Sequence, residues 1–88
     1  MRMANIKAVL KMTEDYLAGR IDRISYELDF PYEVEQRYQK MCREDADYAD
    51  MLYYYLIECG TDKAYGMSDE AFYNLIQKQY DEVLDGVY

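Results

Sequence analysis

Histidine is absent from this 88-residue chain, and that gap removes three things together. They are the commonest general base, the usual relay of a nucleophilic triad and the commonest transition-metal ligand. Other enzymatic hardware is missing as well: there is no glycine-rich phosphate loop, no Cys-x-x-Cys pair and no Gly-x-Ser-x-Gly elbow. Carboxylates alone perform acid–base chemistry only in a pocket that shifts their pKa values. No apolar run approaches the ~20 residues that a membrane-spanning helix requires. Met1 to Lys11 interleaves charges with apolar residues, so it does not read as a signal peptide. Cysteine is scarce, and Cys42 and Cys59 read as structural thiols rather than as a disulfide framework, with a single bridge left open should the two helices that carry them pack side by side. The expectation is a cytoplasmic, non-enzymatic protein with no cofactor and no metal.

Cationic side chains are scarce in one half only. From Glu44 to Tyr88 there are two of them against eleven carboxylates, together with eight tyrosines. The first 43 residues are nearly balanced, with eight basic and seven acidic side chains, so the net charge of −8 belongs to the second half. Direct nucleic-acid binding is excluded on this ground, because it needs a basic face. An acidic surface studded with tyrosine suits a cationic protein partner: charge steers the encounter and tyrosine supplies rigid contact area.

Glycine and proline are few, and they punctuate the chain at Gly19, Phe30-Pro31, Gly60 and Gly86. The segments between them are helix-sized, with apolar residues at helical spacing. Residues 1–88 therefore read as one small all-α domain, a compact four-helix bundle with a possible short extra helix before Pro31. The first helix, Ala4 to Ala18, carries Met3, Ile6, Leu10, Thr13 and Leu17, flanked by Val9 and Tyr16, and Gly19 stands at its left-handed cap position. Asp22 caps a second helix that reaches Phe30, and Pro31 opens a third to Arg43; a single helix through Pro31 is the alternative. A boundary is expected at Glu44 to Asp47, because one helix from Pro31 to Cys59 is unusually long for so small a domain. Ser68 caps the last helix, which buries Phe72, Ile76, Tyr80 and Val83.

The helix Asp47 to Cys59 is two-sided. Tyr48, Leu52, Tyr55, Leu56 and Cys59 form the expected core face, while Asp47, Asp50, Tyr54 and Glu58 face away, with Tyr53 on the flank. Tyr38 and Tyr80 also fall on core faces. The acidic stripe, with Tyr53 and with Asp62 and Tyr65 of the loop Thr61 to Gly66, is the candidate partner-binding surface. A cation site at Glu44, Asp45, Asp47 and Asp50 is disfavoured, since Asp45 and Asp47 point almost oppositely and no loop supplies further oxygens.

The stretch Tyr16-Leu17-Ala18-Gly19-Arg20-Ile21-Asp22, followed by Tyr26 and Phe30, resembles the opening of the colicin D immunity-protein family. There a helix ends in an F/Y-L-x-G/S-x-I-[ST] turn and an aromatic follows. The apolar helix Met51 to Ile57 and the opening Met67-Ser68-Asp69-Glu70-Ala71-Phe72 fit the same pattern. Asp22 stands where the family prefers Ser or Thr, and the Asp29-Phe30-Pro31-Tyr32 break is not part of the pattern. The resemblance implies a four-helix protein that binds a cognate bacterial toxin domain and occludes its active site. A tRNA-cleaving nuclease with a basic groove is the toxin so implied. The alternatives are a nucleic-acid mimic directed at another protein, or an acidic helical adaptor or oligomerisation module.

Overall fold

The computed structural model describes residues 3–86, which are 83% helical and contain no strand. Helix α1 spans Ala4–Leu17, α2 spans Arg23–Leu52 and α3 spans Asp69–Asp85. A π-helical run, Tyr53–Glu58, continues α2, and a 3-10 turn, Thr61–Lys63, precedes α3. The architecture is all-α with three helices, so the expected four-helix bundle and the separate short helix before Pro31 are both corrected.

The count falls because neither expected break opens into a loop. Pro31 lies inside α2. Its fixed φ is compatible with a helix, and the hydrogen bond it forfeits is offset by tertiary burial of Tyr26, Phe30 and Val34 around it. At the second break Asp45 leaves helical geometry (φ −166°, ψ 100°), and its Oδ1 accepts the Tyr48 N–H at 3.1 Å. The boundary expected at Glu44 to Asp47 is thus a capped kink. Its effect is visible in the dimensions: thirty straight helical residues measure about 45 Å, yet the longest extent of the molecule is 35 Å.

Local chemistry sets the remaining ends. After α1, Gly19 adopts φ +82°, and Gly19 N–H bonds to the Tyr16 carbonyl while Arg20 N–H bonds to that of Asp15. This is the paired pattern of a Schellman cap. Asp22 caps α2 by accepting from Ser25 N–H at 2.8 Å, and Ser68 caps α3 by accepting from Ala71 N–H at 3.1 Å. Asp69 and Glu70 occupy the first turn of α3, where carboxylates complement the helix dipole.

The buried line of α1 is Ile6, Val9, Thr13 and Tyr16, with Met3, Leu10 and Leu17 half-buried at its edge. This line is rotated from the expected stripe because α1 packs against both α2 and α3. Tyr26 stacks on Tyr16 and on Phe30 at 4.7 and 4.8 Å, and Phe72 of α3 meets Tyr16 at 5.7 Å. The Tyr26 hydroxyl pairs with Thr13 Oγ1 at 2.7 Å, both residues being fully buried. Burial raises the Tyr26 pKa well above its ordinary value. Arg23 pins the segment before α3: its guanidinium donates to the carbonyls of Ala64 and Met67, pairs with Glu27 and Asp69, and lies over the Phe72 ring. Among the described residues no helix is long and apolar enough to cross a membrane.

Candidate interaction surface

The kink at Asp45 folds the end of α2 back towards its own middle. Between the two limbs lies an open cleft of about 640 Å³, lined by Glu35, Tyr38 and Gln39 on one side and Asp50, Tyr53 and Glu58 on the other. Tyr38 bridges it by donating its hydroxyl to Asp50 Oδ1, and its ring meets Tyr53 edge-on at 5.6 Å. The Asp50 hydrogen bond is the main cause that raises the Tyr38 pKa, with burial and Cys42 adding to it. Among the described residues, three carboxylates and two tyrosine rings line this cleft, and no lysine or arginine does. Such a lining accepts a guanidinium or ammonium group, through charge-assisted hydrogen bonds and through the ring faces.

The π-helical run determines which residues reach the cleft. Its hydrogen bonds close five residues apart, as Cys59 N–H to the Tyr54 carbonyl does at 2.9 Å, so residues five apart come to one side. Tyr53 and Glu58 therefore share the cleft wall. A uniform helical period instead predicts that Tyr54 aligns with Glu58. Tyr54 is half-exposed outside the cleft and packs edge-on against Tyr55 at 5.1 Å. Its pKa is raised, chiefly by hydrogen bonding to Cys59. The same change of period buries Ile57 and leaves Tyr55 and Cys59 half-buried.

Of the seven candidate residues, Asp50, Tyr53 and Glu58 are thus brought together. Asp47 is exposed on the second limb of α2 and does not line the cleft. Asp62 sits exposed in the 3-10 turn, and Tyr65 projects fully into solvent from the segment that Arg23 anchors. Glu35, Tyr38 and Gln39 complete the cleft without having been singled out for it. The spacing of Glu35 and Gln39 on the α2 face away from Val34 and Met41 was the available signal. Tyr38, expected in the core, is half-buried at the core's edge, whereas Tyr48 and Tyr80 are buried as expected.

The acidic cluster around Asp45 disperses. Glu44 turns to α1, where its Oε2 accepts from the backbone and side-chain amides of Asn5 and its Oε1 from Ile6 N–H, all at 2.8–2.9 Å. Burial pushes its carboxyl pKa up, but these hydrogen bonds and nearby Arg37 outweigh that and hold it below the ordinary value. Asp45 caps its own limb and Asp50 pairs with Tyr38. No group of three or more potential ligands among the described residues is placed to hold a metal ion. Cys42 and Cys59 are half-buried and unbridged. No known protein family, no curated protein and no solved structure matches this chain.

Proposed function

We propose that the protein is an immunity protein, which binds a cognate bacteriocin or contact-dependent toxin domain and blocks it. The observation that carries this reading is the cleft: Glu35, Asp50 and Glu58 present carboxylates around two tyrosine rings, with no cation among the described residues that line it. A nuclease domain that binds the phosphates of tRNA has a basic groove, and carboxylates so arranged take the place of phosphates. The net charge of −8 favours rapid, salt-sensitive association with such a target. The protein acts in this reading without catalysis and without a cofactor, in the cytoplasm where the toxin attacks.

The test is co-expression with toxin domains encoded beside its gene, scored as rescue of growth and as protection of tRNA from cleavage by the purified domain. Rescue should be lost when Asp50→Lys and Glu58→Lys are combined, with helical content unchanged. If no such domain is neutralised, or rescue survives both reversals, the proposal falls.

A second reading, an acidic helical adaptor, is favoured by one separate observation. Ile24, Leu28 and Tyr32 are 71%, 70% and 59% exposed on α2, and large apolar side chains so placed mark a protein-contact surface.

A further inference from the structure

Ile24, Leu28 and Tyr32 recur every four residues, so they form one row along α2. The buried positions Tyr26, Phe30, Val34 and Met41 occupy the opposite side of the same helix. Continuing the row by three and four residues leads to Glu35 and Gln39, which line the acidic cleft. At 1.5 Å per residue the surface runs about 22 Å from Ile24 to Gln39. The cleft's first carboxylate stands two turns beyond the central apolar side chain, Leu28.

We infer that the row and the cleft are a single docking surface for a basic amphipathic helix of another protein. In that helix, apolar residues four apart would lie on Ile24, Leu28 and Tyr32. A lysine or arginine about two turns further along would enter the cleft between Glu35, Asp50 and Glu58. Tyr32 joins the two parts, and tyrosine is a residue type that commonly anchors interfaces. A second copy of this chain fits poorly. Three apolar side chains fall far short of the ~20–30 residues a side of a stable interface, so the cleft must share the contact, and another chain of charge −8 does not complement it. The inference rests on reading the cleft as a cation site, and it adds the apolar half and the helical form of the ligand.

The probe is a set of designed helical peptides of about twenty residues, made in both chain directions. One carries leucine at three positions four apart and two lysines two turns on. A second replaces the lysines by glutamate, and a third replaces the leucines by serine. Titration against the full chain at low and moderate salt should show binding of the first, weakened at least tenfold in each of the others. Leu28→Glu and Glu58→Lys, both at exposed positions, should also weaken it at least tenfold. Equal binding of the serine peptide, unaffected by Leu28→Glu, would overturn the joint surface while sparing the cation cleft. No binding of any lysine peptide, even at low salt, would overturn both. Concentration-dependent dimerisation abolished by Leu28→Glu would assign the row to self-association and overturn the proposal.

Discussion

Glu44 carries the most instructive test of the fold, because a surface-type carboxylate acts there as the missing cap of a distant helix. Helix α1 starts after Met3, whose φ is +63° and whose side chain makes no capping hydrogen bond. The orphan N–H groups of that first turn instead reach Glu44, 38 and 39 residues away. Losing a side-chain cap costs about 0.5–2 kcal/mol, and losing a carboxylate at a helix N-terminus costs about 0.3–1 kcal/mol more. Glu44→Ala should therefore destabilise the protein by about 1–3 kcal/mol, at about 4–8 °C in Tm per kcal/mol for a domain of this size. Glu44→Gln, which keeps an acceptor but no charge, should fall between. The pH dependence follows from the depressed carboxyl pKa. Its stabilising contribution is complete above the unfolded-state value near 4.5 and is lost as pH falls through the lower folded-state value. Urea unfolding of wild type and variant, followed by circular dichroism, should give stabilities that begin to converge only below about pH 4.5. A variant as stable as wild type at neutral pH, or a deficit that does not shrink on acidification, would refute the capping role.

Three other substitutions probe further long-range hydrogen bonds. Thr13→Val and Tyr26→Phe each orphan a buried hydroxyl, so each should cost about 1–3 kcal/mol; the double variant should cost clearly less than their sum, and strict additivity in a thermodynamic cycle would show that the two hydroxyls do not act as a pair. Arg23→Met keeps the aliphatic stem but removes the charge-assisted bonds to the Ala64 and Met67 carbonyls. A loss of about 2–4 kcal/mol is expected, with faster proteolysis between residues 63 and 68; unchanged melting and cleavage would mean that the segment holds itself.

What was legible in the sequence were features written within a few residues. Gly19, Asp22 and Ser68 act through bonds that span three to five positions, so residue type and spacing suffice to place them. The break near Asp45 was expected on different ground, that one helix from Pro31 to Cys59 would be unusually long for so small a domain, and its form was not legible. A carboxylate that caps the next turn permits a kink as well as a loop, and packing decides between them. Pro31 likewise shows tertiary burial overriding a local breaker. The site was only half-legible. Asp50 and Glu58 follow from periodicity, but their meeting with Glu35 and Tyr38 depends on how far the chain bends at Asp45. Glu44 was out of reach, since its partners lie across the molecule.

The wide turn at Tyr53–Glu58 has a consequence for how this surface can vary over time. A π-helical turn holds one residue more than the α-helical turn it replaces. The second wall of the cleft is therefore a matter of chain length as much as of composition. Substitutions within the turn exchange one side chain for another and leave the frame in place. Removing one residue between Tyr53 and Glu58 leaves them four apart, which ordinary α-helical winding also brings to one side, whereas ordinary winding at full length would put Tyr54 in the place of Tyr53 beside Glu58. Variants of this protein that keep the cleft should thus retain Tyr53 and Glu58 while tolerating the loss of one residue between them.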